Sequence, residues 1–503
     1  MGDGGEDPRE AADEGLTGDR LTRERLAKVE AMRARGSEPY PVRFEPTTTA
    51  AALHERFDGL GPGEETGEQV VVAGRLMNVR DMGRLAFGVL QDGSGRIQLF
   101  VEQARLGDGF DRFTGFDPGD WIGASGDVIT TRKGELSVRI GEATLLAKAL
   151  RPLPEKWHGL TDVETRHRKR YLDLIANDDA RDVMRGRVET IASLRRSLSQ
   201  RGFVEVETPT LHAIPSGGMA RPFRTHHDAL GADMFLRIAL ELHLKRLIVG
   251  GVERVFEIGR VFRNEGVSPR HSPEFTMLEL YQAFGDYGDM ADLTEALVTE
   301  ASDRVVDSTQ LEYQGKPLSL AAPWRRIDYY GSVTEATGAT WAPDMPLPVA
   351  REQASAADVE VEEAWPVGKI VAEVFESHVE PALWEPTVVM DHPKEISPLA
   401  REHRDRPGVV ERFEVIVAGT ELANAFSELN DPVEQRRRFE AQVEARATGD
   451  DEAHPMDEDF ITALEYGMPP TGGMGLGVDR LVMLLTDQAS VREVILFPHL
   501  RQE

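Results

Sequence analysis

The sequence predicts an α+β protein in two parts, a small closed β-barrel followed by a larger domain of mixed helices and strands. Three observations carry this. Between Val70 and Leu150 five short β-rich runs follow one another, VVVAGRLMNVR, LAFGVLQD, RIQLFV, WIGASGDVIT and LSVRIGEATLLA, separated by Gly and Asp turns with no helical pattern between them. That is the pattern of a five-stranded barrel, for which the oligonucleotide-binding fold is the commonest architecture. Beyond about Arg181, helical and strand patterns mix without the regular alternation of a parallel α/β sheet. Within that part, Val252–Ala283 reads as two strands joined by a long, charged, Gly- and Pro-containing loop, an antiparallel hairpin.

Composition bounds the function. At 503 residues and 40% hydrophobic the chain has material for two to four domains with real cores. With 87 acidic against 58 basic residues, a net charge of -29, it does not hold nucleic acid by bulk positive charge, so any RNA contact must use local basic patches. The absence of cysteine removes disulfides, thiolate nucleophiles, thiolate zinc sites and iron–sulfur clusters, and leaves open a carboxylate or histidine metal site. The N-terminal MGDGGEDPREAADEG has no apolar targeting core, and no stretch reaches the roughly 20 apolar residues of a membrane span. A soluble, cytoplasmic protein with no membrane partner is expected.

Along the chain, residues 1–18 are too polar to bury anything and read as a disordered acidic tail. Residues 19–64 form a basic helix and connector: Leu21, Leu26, Val29 and Met32 recur at helical spacing among Arg20, Arg23, Arg25, Lys28, Arg33 and Arg35, and Gly36 with Pro39 ends the helix. Its basic face is either solvated or in contact with RNA phosphate. Residues 65–150 are the barrel. Residues 151–180 are a proline-broken linker whose basic run, Arg166, Arg168, Lys169 and Arg170, is again a solvated face or an RNA contact. Residues 181–503 are the second domain.

Three constellations in that domain carry chemistry. In the hairpin, strand alternation puts Phe275, Met277, Glu279 and Tyr281 on one face, away from Leu278 and Leu280, and turns Arg263 away from Phe256, Ile258 and Phe262. Arginine, aromatic ring, carboxylate and phenol on one surface suit a ligand better than bulk water. In RFEVIVAGTELANAFSELND, Glu414 and Glu421 flank the Gly419 turn, and Asn424, Phe426 and Glu428 follow at steps of two. Neighbouring carboxylates beside a triphosphate suit magnesium. In TGGMGLGVDRLVMLLT, glycines at 472, 473, 475 and 477 let the backbone run close to another group, and Arg480 stands in the first turn of an apolar helix, placed to hold a phosphate. The spacing fits neither a Walker loop nor a dinucleotide fingerprint.

These segments, in order, resemble the class II aminoacyl-tRNA synthetases: RGFVEVETP at 201–209 is similar to their motif 1, FRNEGVSPRHSPEF to motif 2 and GLGVDRLVMLL to motif 3. PSGGMARPFRTHH at 215–227, LELHLKRLIVGG at 240–251 and TELANAFSELND resemble the lysyl-tRNA synthetases in particular, of bacterial type, and the likeness runs from the basic helix to the final LFPHLR. It implies an antiparallel catalytic sheet flanked by helices, an anticodon-reading barrel, and a homodimer built partly through motif 1. The implied function is lysine–tRNA ligase, which activates L-lysine with ATP and passes the lysyl group to the terminal adenosine of tRNA(Lys).

The resemblance also implies roles. Arg263 and Arg480 are the catalytic pair, Arg263 on the α-phosphate and Arg480 sandwiching adenine with Phe275; Glu265 contacts adenine, and Arg270 and His271 reach the distal phosphates. Glu414 and Glu421 match magnesium positions. Gly217, Glu241, Glu279, Tyr281, Asn424 and Glu428 match the lysine pocket, and Arg80, Phe87, Gln98 and Glu135 the anticodon readers, although by periodicity Phe87 also reads as barrel core. Chemistry agrees: in-line phosphoryl attack needs positioning and charge neutralisation rather than a covalent nucleophile, so a cysteine-free enzyme suffices. Ala423 and Ala425 stand where bacterial relatives often carry glycines, and Ser272 where asparagine is common. A paralogue that lysylates an elongation factor would lack the barrel. Aspartyl and asparaginyl enzymes would not want Glu279 and Glu428 converging on their substrates. A non-catalytic RNA-binding module would not need the intact set of Arg263, Glu265, Phe275, Glu414, Glu421 and Arg480.

Overall fold

The computed structural model describes residues 20–154, 160–215, 217, 220–447 and 455–500, which divide into two units between Leu160 and Thr161. The acidic tail expected at 1–18 lies outside the described residues. In the first unit the five runs become strands Glu65–Asp81, Leu85–Gln91, Arg96–Glu102, Trp121–Thr130 and Leu136–Ala147, closed into a barrel. Alternate residues such as Val70, Val72, Leu76, Leu90, Leu99, Val101, Val138 and Ile140 are buried inside it, as a period of two dictates.

Two features of this unit differ from expectation. The third strand pairs in parallel with the fifth, so the chain must cross the barrel end before the fourth begins. Short helices Gln103–Leu106 and Gly109–Thr114 fill that crossing, and Phe110 and Phe113 join the barrel core. The basic helix, Arg20–Ala34, buries Thr22, Arg25 and Val29 while Leu21 is exposed. Arg25 donates to the carbonyls of Pro118, Ala149 and Arg151, and Lys28 pairs with Asp117 at 2.8 Å. Part of its positive charge is thus spent on the barrel.

The second unit is built on an eight-stranded sheet in the order Arg325–Asp328, Thr387–Met390, Arg412–Val417, Thr420–Ser427, Thr471–Gly477, Glu274–Ala283, Arg254–Phe262, Val204–Glu205. Its central pairs are antiparallel and its two outermost pairs parallel. Helices Asp178–Gln200 and Tyr287–Val306 cover one face: Val183, Leu194, Leu198, Met290, Leu297 and Val298 pack with Phe256, Leu278, Leu280, Phe413, Val415 and Met474. Asp286 anchors the second helix through a capping box with Asp289. The helix Glu241–Val249 packs against the hairpin strands Arg254–Phe262 and Glu274–Ala283, with Pro432–Ala447 and Glu458–Glu465 beyond it.

The basic run at 166–170 is largely consumed in packing. Arg170 is buried, bound to Asp173 and to the carbonyls of Arg492 and Leu496; Arg166 pairs with Asp173 and Glu493, and Arg168 with Glu164. Neither reading as an open RNA-binding or wholly solvated face describes this segment. Among the described residues no helix is long and apolar enough to cross a membrane.

Candidate active site

The hairpin has the expected form, strands Arg254–Phe262 and Glu274–Ala283 around a charged loop. Phe275, Met277, Glu279 and Tyr281 line a cavity of ≈ 370 Å³, while Leu278 and Leu280 enter the core on the other face with Phe256. The cavity gathers every site residue expected in this unit: Gly217, Glu241, Arg263, Glu265, Arg270, His271, Phe275, Glu279, Tyr281, Glu414, Glu421, Asn424, Glu428 and Arg480.

One end of the cavity is acidic and enclosed by buried side chains. Glu241, Glu279, Tyr281 and Glu428 are all buried there. Glu279 Oε1 accepts from Leu240 N at 2.9 Å and its Oε2 from the Tyr281 hydroxyl at 3.2 Å. Burial, and next the charge of Glu241, push the Glu279 carboxyl up to about 7. Glu428 is raised as well, by burial against the opposing pull of Lys245. Its Oε1 is buried without a hydrogen-bonding partner among the described residues. The strand Thr471–Gly477 passes close beneath: a Cβ on Gly473 would lie 1.9 Å from Glu428 Oε1 and 2.5 Å from the Tyr281 ring, so only glycine fits. Gly217, at φ 91°, comes against Ala239 and Glu241, with Ser216, Gly218 and Met219 outside the described residues.

The other end is cationic. The Arg263 guanidinium lies 5.1 Å from the Phe275 ring centroid, and its Nε has no hydrogen-bonding partner among the described residues. Arg270 and His271 stand exposed on the hairpin loop, which Ser268 closes by hydrogen bonding His271 Nδ1 at 3.0 Å; Glu265 is exposed on the same loop. Arg480, in the first turn of Val478–Leu485, bonds the Glu421 carbonyl and approaches its carboxylate at 3.3 Å. That helix turn is pinned by Asp479, whose buried carboxylate accepts from Thr276 N and pairs with Arg187.

Glu414 and Glu421 reach the same wall by different routes. Glu414 faces Asn424 across the strand pair, but a register shift between Val415 and Ile416 pairs Ile416 with Glu421 and leaves Leu422 as the extra residue. This bulge turns Glu421 to the side of Glu414, where simple alternation would oppose it to Asn424. Each carboxylate has an arginine beside it: Arg412 approaches Glu414 at 2.6 Å and holds the Asn424 carboxamide oxygen at 3.0 Å. Glu380, which sequence reasoning missed, is pushed up to about 7 by burial and then by Glu414, Glu376 and Glu421. Among the described residues no three acidic or histidine side chains form a complete metal cage. Ala423 and Ala425 point into the core behind the sheet, so they leave the acidic pocket untouched, whereas Ser272 lines the cavity.

On the barrel, Arg80 and Phe87 are cross-strand partners on the outer surface, while Ala86 and Gly88 turn inward, so Phe87 is not core. Phe87 also faces Phe100, with centroids 5.4 Å apart. Gln98 shares this surface and donates to Ser137 Oγ at 2.9 Å, and Ser137 in turn bonds the Glu135 carbonyl. Phe100 stands two residues beyond Gln98 on the same strand face.

A family described as tRNA synthetases class II (D, K and N) matches residues 162–501, and an OB-fold nucleic acid binding domain matches residues 70–146. The chain belongs to this class II family and is an aminoacyl-tRNA ligase. It is 53% identical over 485 residues to the lysine–tRNA ligase of Synechococcus sp., covering 95% of this chain and 96% of that one. The lysine–tRNA ligases of Carboxydothermus hydrogenoformans and Moorella thermoacetica are 51% and 52% identical, over 96% and 95% of this chain and 98% and 97% of their own. Within the class, the chain belongs with these lysine–tRNA ligases.

Proposed function

We propose that the chain activates L-lysine at this cavity and charges tRNA(Lys) in two steps. One observation carries the choice of lysine: three buried carboxylates, Glu241, Glu279 and Glu428, with the Tyr281 hydroxyl, close the end of the cavity away from the arginines. A cationic amino acid leaves water favourably only into such a site. Glu428 Oε1 and the lone pairs of Tyr281 take the ε-ammonium, Glu241 and Glu279 the α-ammonium, and Gly217 and Asn424 border the chain. The carboxylate then points to Arg263.

In the first step a lysine carboxylate oxygen bonds the α-phosphorus of ATP and the bridge to the β-phosphate breaks, releasing pyrophosphate. Arg263 neutralises charge developing on the α-phosphate. Phe275 and Arg480 hold the adenine between them with Glu265 at its edge, while Arg270 and His271 hold the distal phosphates. Two carboxylates with room for phosphate oxygens fit magnesium, which is commonly held by one or two carboxylates plus substrate phosphates; Glu414 and Glu421 would hold it, and the elevated Glu380 carboxyl marks surplus negative charge there. When bound with ATP it offsets phosphate charge. In the second step a hydroxyl of the terminal adenosine attacks the lysyl carbonyl and AMP departs. Arg80, Phe87, Gln98 and Glu135 read the anticodon, with Phe100 extending the stacking surface.

The chain acts as a homodimer joined around Arg201–His212, a reading supported by the exposed Val204 and Leu211. Light scattering tests it: the mass of one chain at micromolar concentration excludes the dimer. ATP–pyrophosphate exchange run with each amino acid separately tests the substrate. Exchange with lysine alone is expected, and preference for aspartate or asparagine overturns the assignment.

A further inference from the structure

Beneath the acidic pocket, outside the residues that line it, Lys245 is fully buried on the helix Glu241–Val249. Its Nζ forms ion pairs with Glu241 Oε1 and Glu428 Oε2, and lies 5.3 Å from the Phe426 ring centroid and 5.9 Å from that of Tyr281. The partner of one Glu428 oxygen is therefore built into the protein, and the other oxygen is buried without a hydrogen-bonding partner among the described residues. We propose that Lys245 is a positioning and specificity-determining residue: its ammonium holds Glu428 by Oε2 and draws it toward the charged form, so that Oε1 stands ready for one further cation, the substrate side chain. This rests on the lysine reading of the pocket.

The argument is one of charge. The groups facing Glu428 and Lys245 are Glu241 from the helix that carries Lys245, and Glu279 and Tyr281 from the hairpin strand, with Arg263 acting on Glu279 from further along the cavity. Arg246, next on the helix, is engaged by Asp457 and Asp459. Three carboxylates in a dry site cannot all stay ionised without a cation. Burial alone would pull a proton from Lys245, but Glu241 and Glu428 more than offset it and hold the ammonium charged. Without Lys245 the Glu428 carboxyl, already raised by burial, would be driven further toward its neutral form, which makes no ion pair with an ammonium.

The test is Lys245→Gln, which keeps a donor and most of the length but deletes the charge, with Lys245→Arg as the rescue and Lys245→Met as a second charge deletion. In exchange assays Lys245→Gln should raise the KM for lysine rather than lower kcat, by about tenfold for each unit by which the Glu428 carboxyl then titrates above the assay pH. The KM for ATP should not change. The wild-type lysine KM should level off at a lower pH than that of Lys245→Gln, which should keep falling as Glu428 ionises, and Lys245→Arg should restore the wild-type profile. A folded Lys245→Gln or Lys245→Met enzyme with wild-type lysine KM, or a rise that is the same at every pH, overturns the proposal. A purely structural Lys245 would move the melting temperature and not this profile. If instead Glu428→Gln leaves lysine activation normal, the lysine-pocket reading itself has failed.

Discussion

Asp479 Oδ2 accepts a 2.6 Å hydrogen bond from the backbone N–H of Thr276, tying the helix that carries Arg480 to the strand that carries Phe275. Its other oxygen pairs with buried Arg187, which also donates to the Thr276 hydroxyl at 2.9 Å. The gap between Phe275 and Arg480 is therefore set by a carboxylate that touches neither. Asp479→Ala leaves Arg187 uncompensated and should cost about 3–5 kcal/mol of stability by denaturant unfolding. Asp479→Asn retains the shape and should raise the KM for ATP more than that for lysine; equal effects on both would remove Asp479 from the adenine slot.

Glu428→Gln preserves volume and deletes the charge proposed to face the substrate ammonium. Losing one partner of a buried ion pair costs about 3–5 kcal/mol, so kcat/KM for lysine should fall by roughly two to three and a half orders of magnitude. ATP affinity should stay near wild type. Ornithine, one methylene shorter, should be disfavoured less, by roughly 1–3 kcal/mol.

If Glu279 holds the substrate ammonium as proposed, its carboxyl at about 7 should make lysine binding proton-linked. Half protonated near neutrality, it must ionise to hold an ammonium, so binding releases a proton and affinity rises with pH. Between pH 6 and 8 the KM for lysine should fall by about tenfold, and calorimetry in buffers of different ionisation enthalpy should register proton release near pH 7. In the free protein the sign is the usual one for an acid raised by folding. The unfolded carboxyl ionises at its ordinary value near 4.5 while the folded one does not, so stability is lost from there up to about pH 7 and then levels. Glu279→Gln should flatten that decline in Tm.

Phe87 offers a ring on the barrel exterior beside Phe100. Phe87→Ala should weaken charging of tRNA by roughly 1–3 kcal/mol, one base–aromatic stack, and leave ATP–pyrophosphate exchange unchanged. Equal loss in both assays would assign Phe87 a structural role.

Glu414→Ala and Glu421→Ala should each alter the magnesium dependence of adenylate formation, measured as exchange against metal concentration, with Tm as the control. A drop in Tm with activity per folded molecule preserved would make them structural, through their contacts with Arg412 and Arg480.

Much of this protein is determined locally, and the sequence states it. Five barrel strands, the hairpin with its charged loop, and the shared face of Phe275, Glu279 and Tyr281 follow from a burial period of two, which each strand carries in itself. Tertiary structure decided whatever depended on a partner remote in the chain. Glu421 joins Glu414 only because a bulge at Leu422 shifts the register, which alternation along one strand does not reveal. Arg25 and Arg170 read as solvated faces or RNA contacts, and nothing local marks Lys245, yet each is buried where distant carbonyls or carboxylates satisfy it. Only the fold brings Lys245 to Glu428, because this carboxylate, which with Glu241 keeps the buried ammonium charged, follows the strand Thr420–Ser427, far along the chain from the helix that carries Lys245.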